Sequence, residues 1–503
     1  MPGLVGAEVP VSILLLDQLG MSQWHFATQI LPGDDPLFVR LSRSVIDDIR
    51  RGRIKPGQRL PGSRTLARSL KVHRNTVLAA IDDLVAQGWL VTKQASGTFV
   101  ASTLPEGSAR SPLVHQSKFG AHLHPSPTLQ SLGRVFEPGA MKRLLFSAGT
   151  PDPRQVPVEA LSRAWRRAVK GHGHRLLEYG HPAGHLGLRR ALAEMVSSVR
   201  AVPASEDTVL VTRGSQGALD LCARALIQKG DVVAVEALGY HPGWAALRLA
   251  GAKLVAVPVD KEGLQVDALR KFQNLRAVYV TPHHQYPTTV TMSASRRMQL
   301  LALARQRRFV ILEDDYDHEF HFDGQPVMPL ASQDTSGLVV YIGTLSKVLA
   351  PGLRLGFVVA PQPLMNRMVL LRSVTDRQGD HPMEAAVADL LESGELGRHV
   401  RKTKRATHER RDLLVDLLRR HLGQALQFEV PLGGLALWAR WVAKGDFEKW
   451  LARCEQRGVT VYPGRRYAFS GDDVPAVRLV FSRFTPAELT KCVIAMKAGL
   501  VER

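Results

Sequence analysis

Five short apolar runs, at residues 208–212, 232–236, 277–281, 309–313 and 339–343, punctuate the chain beyond Leu144, and longer amphipathic stretches separate them. Runs this short suit buried strands, and the stretches between them have helical periodicity. Strands that alternate with helices pack as a sheet with parallel neighbours, because each helix carries the chain back to the same end of the sheet. The pattern predicts an α/β unit with a mainly parallel sheet.

The first hundred residues have a different rhythm. Residues 36–50 place Leu37, Leu41, Val45, Ile46 and Ile49 on one helical face. A Pro/Gly-rich turn over 54–63 follows, after which Ser63 is expected to cap a short helix over 64–70. Residues 71–73 then turn into a helix over 74–87 whose apolar face carries Val77, Ile81, Leu84 and Val85. Residues 89–93 and 97–100 flank a polar turn as a β-hairpin should. Two helices joined by a tight turn and followed by a hairpin make a winged helix-turn-helix, mostly α with a β wing.

In that arrangement the second helix enters the major groove start first. Its first residues are His73, Arg74, Asn75 and Thr76, where Arg suits guanine and Asn suits adenine, while Arg64, Arg68 and Lys71 suit phosphates. Any one of these alone reads as a solvated surface residue; their clustering at a helix start points to DNA. The formal net charge of +20 also favours a polyanionic partner.

A length of 503 residues calls for more than one core. The expected division is a tail over 1–34, the winged domain over 35–103, a Ser/Pro/His/Gly-rich linker over 104–140 and the α/β unit over 141–503. No apolar stretch is long enough for a membrane helix, and the apolar segment 9–16 lacks the flanks of a secretory signal. The three cysteines, Cys222 and Cys454 among them, form no CxxC and no Cys/His cluster. That usage suits a reducing cytoplasm, and no metal site is expected. The basic stretch 398–420 reads as a solvated amphipathic helix with no assigned role.

Residues 341–357 carry Ser346 and Lys347 just past a strand, then a Gly/Pro turn and Arg354. A lysine there can form an imine with an aldehyde cofactor if its surroundings favour the neutral amine; Arg354 would lower its pKa and bind phosphate. The run 310–317 ends in Glu313, Asp314, Asp315 and Asp317 around Tyr316. An acid at this point could keep a pyridine nitrogen protonated, with Tyr316 donating to a phenolic oxygen; a solvated loop or cation site is the competing reading. Gly214, Ser215 and Gln216 follow a strand and open a helix, where backbone N–H groups attract phosphate. Arg478, inside a late strand, either grips a carboxylate with two prongs or is a basic residue on an edge strand.

Pro36-Leu37, the stretch from Gly52 to Ala67, Arg74 to Val77 and Gly97 to Val100 together resemble the GntR family of winged helix-turn-helix regulators. The Ser-Lys segment, the acidic strand end and the Gly-Ser turn resemble fold-type-I pyridoxal-phosphate enzymes of the aspartate aminotransferase class. In these a large domain with a mainly parallel sheet is followed by a smaller α+β domain. The combination is similar to the MocR subfamily of GntR-type regulators.

The resemblance implies pyridoxal 5′-phosphate as cofactor, carried by Lys347. Asp314 would face the pyridine nitrogen, Tyr316 the ring hydroxyl and Tyr240 the ring face. Gly214, Ser215, Gln216, Ser346 and Arg354 would surround the phosphate, with Tyr179 reaching in from the second subunit of a homodimer. Arg478 would take the carboxylate of a substrate or effector. The partners implied are a double-stranded DNA operator and a small amino compound, or the cofactor itself, as effector.

One departure stands out. Where aminotransferases carry an Asn-Pro-Thr-Gly turn, this chain has His283-His284-Gln285-Tyr286-Pro287-Thr288-Thr289, which removes the asparagine from the ring hydroxyl and implies weak or vestigial transamination. The rival readings are a working aminotransferase with an accessory DNA-binding head and a cofactor-free binding module.

Overall fold

The structure is a computed structural model that describes residues 35–94, 96–105, 144–146, 149–325 and 327–500. The chain divides into two units, residues 1–124 and 125–503. The expected tail over 1–34 lies outside the described residues, as does the expected linker apart from residues 104 and 105.

The first unit runs α1 (Leu37–Arg50), α2 (Ser63–Ser69), α3 (Arg74–Ala86), β1 (Leu90–Lys93) and β2 (Gly97–Val100). The wing is antiparallel, with Leu90 opposite Val100 and Lys93 opposite Gly97. Leu41, Val45 and Ile49 of α1 pack with Leu66 of α2, with Val77, Ala80 and Leu84 of α3, and with Trp89 and Leu90. Two apolar assignments fail: Leu37 and Val85 are 39% and 38% exposed, because each lies at a helix end that the other helices do not cover.

Ser63 is not the cap either. Gly62 takes that position with extended backbone angles that already aim the chain into α2. The Ser63 hydroxyl instead accepts from Arg74 Nε at 3.4 Å, tying the starts of α2 and α3 together.

The strands of the second unit are β3 (Leu144–Leu145), β4 (Val209–Thr212), β5 (Val232–Glu236), β6 (Lys253–Val257), β7 (Val259–Asp260), β8 (Gly263–Leu264), β9 (Leu275–Val280), β10 (Val310–Asp315), β11 (Val339–Thr344), β12 (Gly356–Val359), β13 (Leu426–Phe428), β14 (Ala436–Trp441), β15 (Val459–Thr460) and β16 (Ala476–Val480). All five predicted runs are strands, with ends within two residues of those expected.

The main sheet has the order β4-β12-β11-β10-β9-β5-β6. Its pairs are parallel from β11 through β10, β9 and β5 to β6, and β12 alone runs against both its neighbours. Alternation along each strand feeds two apolar layers: Val211, Val278 and Ile311 face one, Leu210, Ala277 and Leu312 the other. A smaller antiparallel sheet, β13-β14-β16, belongs to a separate core around Phe146, Leu418, Trp450 and Leu489.

The basic stretch expected to be solvated is part of the helix Glu395–Leu422, which buries Leu414 and Leu418 and two of its arginines. Arg410 is held by Asp152 at 2.8 Å and Arg411 by Asp323. Burial of the helix face carries those guanidinium groups inside, where paired carboxylates stabilise them. Among the described residues no helix is long and apolar enough to cross a membrane.

Leu84 is 1% exposed at the centre of the first unit's core. Leu84→Ala is expected to cost that unit about 2–5 kcal/mol. Faster amide hydrogen exchange in α1 and α3 reads the loss, with the main sheet unaffected.

Candidate functional site

Strand β10 ends in three consecutive carboxylates, and strand alternation sorts them. Glu313 and Asp315 point to one face and Asp314 to the other, all three buried. Glu313 accepts from the N–H groups of Leu330 and Ala331 at 2.7 and 2.9 Å. Asp315 accepts from Tyr341 at 2.7 Å and pairs with His318 at 2.8 Å. Burial works against the Asp315 charge, but His318, His283 and Arg200 outweigh it and hold the carboxyl well below its usual range.

Asp314 has fewer partners. It receives one hydrogen bond, from Tyr279 at 2.9 Å, and among the described residues its Oδ1, like Asp315 Oδ1, has none. Burial, with Asp315 adding, pushes its pKa up to about 7 against the opposing pull of Tyr279 and Lys347. This is a carboxyl kept ready for a cationic partner.

Lys347 follows β11 and donates to the Gly149 carbonyl at 2.7 Å. Burial and then the charge of Arg478 lower its amine to about 8. Arg354, expected to supply that charge, is the smaller influence because its guanidinium faces elsewhere: it is exposed and donates to the Arg213 carbonyl at 3.0 Å.

That contact places Arg354 at the start of the helix Gly214–Leu226. A Cβ on Gly214 would lie 3.2 Å from the Arg354 guanidinium and one on Gly356 only 2.6 Å from the Gly214 backbone. Both positions therefore demand glycine, and Gly214 also has φ +71°. Arg354 itself adopts φ +53°, a left-handed conformation that costs a residue with a side chain. Ser215 and Gln216 lie on the first turn of this helix, where Gln216 Nε2 donates to Pro242 O at 2.8 Å and its Oε1 is buried without a partner. The Ser346 hydroxyl is likewise buried and partnerless.

Arg478 lies on β16, an edge strand of the small sheet as one of the two readings had it, yet it is 1% exposed. Among the described residues its Nε and Nη1 have no partner, and its guanidinium lies 4.8 Å from the Tyr286 ring centroid. A Cβ on Gly149 would approach it to 3.1 Å, so the residue that accepts from Lys347 also touches Arg478.

Tyr286 is packed edge-on against Tyr240, Tyr316 and Tyr467 at 5.6, 6.3 and 5.6 Å. Tyr316 donates to the His284 carbonyl at 3.0 Å. Burial, with Asp314 adding, raises the Tyr240 phenol to about 12. Tyr179 does not join this group within the chain: it is 78% exposed, with Arg377 over its ring at 4.2 Å. Sequence reasoning missed Tyr279, Gly149 and Tyr286. Tyr279 shares the face of Asp314 through the β9/β10 register, a signal available only once the two strands are known to be neighbours.

In the first unit Arg64, Arg68, Lys71, His73, Arg74 and Asn75 are exposed and Thr76 is half-buried. His73 caps α3, its Nδ1 accepting from Asn75 N–H at 3.3 Å. Arg64 and Arg68 lie on α2, Lys71 in the turn after it and Arg74 at the start of α3.

Two family models match: "Bacterial regulatory proteins, gntR family" over residues 39–100 and "Aminotransferase class I and II" over residues 142–495. The chain is 31% identical to the "Probable rhizopine catabolism regulatory protein MocR" of Rhizobium meliloti, across 93% of this chain and 94% of that one. It is 32% identical to the "HTH-type transcriptional regulator TauR" of Rhodobacter capsulatus, across 93% and 97%. Among solved structures, an archaeal alanine:glyoxylate aminotransferase superposes with a TM-score of 0.67 at 29% identity, over 71% of this chain and 90% of that one. The chain belongs to the MocR-type regulators of the GntR family, in which a winged helix-turn-helix is joined to a fold-type-I aminotransferase domain.

Proposed function

We propose that this chain is a DNA-binding transcriptional regulator that depends on pyridoxal 5′-phosphate and senses a small amino compound, or the cofactor itself, through its aminotransferase-like unit. The working parts are residues 35–103 and 141–503, joined by 104–140, and the protein acts as a cytoplasmic homodimer on a double-stranded operator.

One observation carries the reading: buried polar atoms without partners among the described residues lie on the residues expected to hold the cofactor. They are Asp314 Oδ1 and Arg478 Nε and Nη1, whose charges act on Lys347, together with Ser346 Oγ and Gln216 Oε1. Leaving such groups unmet costs about 1–3 kcal/mol each, so the set makes physical sense as a binding site. The residues fit the cofactor that the family implies, since they offer an acid for a ring nitrogen, an amine for an aldehyde, and the Ser346 hydroxyl, Arg354 and backbone N–H groups as donors for a phosphate.

When bound, pyridoxal phosphate supplies an electron-withdrawing ring. Lys347 would hold it through its amine, and Asp314 would face the ring nitrogen. Gly214, Ser215, Gln216, Ser346 and Arg354 would hold the phosphate at the start of the helix, where backbone N–H groups add their dipoles. Tyr316 would serve the ring hydroxyl and Tyr240 the ring face. Arg478, already desolvated, selects an effector with a carboxylate. The exposed Tyr179 reaches the partner subunit's site in the homodimer. Arg74 and Asn75 read bases, Arg64, Arg68 and Lys71 hold phosphates, and His73 and Thr76 complete the contact surface.

A second reading, a working aminotransferase with an accessory head, draws support from the retention of Lys347, Asp314 and Arg478 together. Steady turnover of an amino donor with an oxo acid acceptor would favour it over regulation.

The visible spectrum tests the cofactor assignment. Lys347→Ala is expected to abolish the borohydride-trapped pyridoxyl label while operator binding stays measurable; an equal label in variant and parent refutes it.

The rate of cofactor capture carries a pH signature. Only the neutral amine attacks an aldehyde, so with Lys347 at about 8 the rate rises with pH and levels off above that value. Removing the Arg478 charge favours the protonated amine, so Arg478→Gln moves the midpoint upward. Stopped-flow absorbance across pH 6–10 measures both.

Arg74→Ala is expected to weaken binding to a duplex selected with the parent protein by about 1–3 kcal/mol if Arg74 reads a base. Fluorescence anisotropy at fixed salt checks it, and unchanged affinity returns Arg74 to the solvated surface.

A further inference from the structure

Four histidines take no part in the chemistry above, and the fold gathers them in one place. His283 and His284 lie in the turn after β9, and His318 and His321 in the segment after β10. The His283 ring lies 4.4 Å from that of His284 and 5.9 Å from that of His321, and the His284 and His321 rings are 6.4 Å apart. His283, His284 and His321 are 3%, 2% and 5% exposed.

Imidazoles this deeply buried should be hydrogen-bonded. Yet among the described residues both ring nitrogens of His283 and Nε2 of His284 have no partner, and His321 has only the backbone of Asp323. One nitrogen from each of the three lies within 4.8 Å of the others. An ion bonded to each nitrogen at about 2.0–2.1 Å holds them roughly 3.3–4.2 Å apart, so the rings draw together on binding it.

Two further features favour a cation. His284 Nδ1 is engaged by Asp317 Oδ1 at 2.8 Å, which leaves the Nε2 lone pair facing the cluster. A carboxylate behind a histidine in this way is the usual support of a metal-bound imidazole. Gly433, bridged to His321, carries no side chain, and a Cβ there would fall 2.4 Å from Phe320 O and 2.5 Å from His284 Nε2, so only glycine keeps that nitrogen from being blocked.

We propose that His283, His284 and His321 bind one divalent transition-metal ion of the zinc type, which clamps the turn that replaces Asn-Pro-Thr-Gly to the segment carrying Tyr316. An all-imidazole set suits zinc and its neighbours rather than calcium or magnesium. The clamp acts on the binding site through position alone: Tyr316 donates to the backbone of His284, so fixing His284 fixes the tyrosine. A second grouping, His283 with Asp315 and His318, competes for the same ring. It is the weaker candidate because Asp315 and His318 already satisfy each other at 2.8 Å.

The test is elemental analysis of the full-length protein, produced in zinc-supplemented medium and exhaustively dialysed, then stripped with a chelator and reloaded with Co²⁺. The expected result is about one equivalent of zinc per chain and visible Co²⁺ bands of four-coordinate intensity. His283→Ala and His321→Ala should each drop the content below about a tenth of an equivalent, with His318→Ala retaining it. Circular dichroism and the cofactor absorbance of each variant serve as folding controls. Should His321→Ala not fold, His321→Gln is read in its place. A parent protein with less than about a tenth of an equivalent overturns the proposal, and so does an unchanged content in the His321 variant. Loss in His318→Ala but not in the His321 variant overturns it in favour of the second grouping.

Discussion

Three adjacent carboxylates cannot be buried at the end of one strand unless each is compensated, and much of the second unit is arranged around that demand on β10. Glu313 is met by backbone N–H groups at the start of the short helix Leu330–Gln333. Asp315 is met by His318 and Tyr341, and Arg200 stands behind Tyr341. Asp314, on the opposite face, is met only in part. Asp315 Oδ1 is also left without a partner among the described residues, so what sets Asp314 apart is its face, which it shares with Tyr279, and the charge of Lys347 acting on it. An unfinished carboxyl in a dry place is costly in a bare fold and useful to one that binds a cation there.

What could be read from sequence followed from period and punctuation. The five apolar runs became strands because buried parallel strands are written as continuous hydrophobic stretches. Lys347, Asp314 and the Gly214 turn were legible because each sits at a strand end, where a parallel sheet collects its ligands. What escaped depended on distance in the chain. Gly149 and Arg478 are 329 positions apart yet nearly touch, and no local pattern encodes that. The Ser63 cap failed for a different reason: Gly62 already supplied the entry geometry, so no side chain was needed. The same limit hid the histidine cluster, since His321 joins His283 and His284 only after β9 and β10 pair.

Charge is handled differently in the two units. In the winged head the basic groups at the start of α3 stay in water, where a polyanion can reach them. In the second unit several arginines are taken inside. Arg410 and Arg200 are matched to carboxylates, while Arg478 lacks one. A net charge of +20 therefore says little by itself about function. Its meaning lies in which cations are solvated, which are neutralised and which are left waiting.

Lys347 is flanked by Leu345, Val348 and Leu349 of the core beside the main sheet, whereas Arg478 is flanked by Val477 and Leu479 of the core behind the small sheet. The two cations thus stand on separately packed bodies that meet at Gly149. A molecule that spans them works as a spacer between two jaws, and its length sets the gap. On the proposed reading, size would count as well as charge: an effector one bond too long would wedge the jaws apart, and one too short would leave them unbraced.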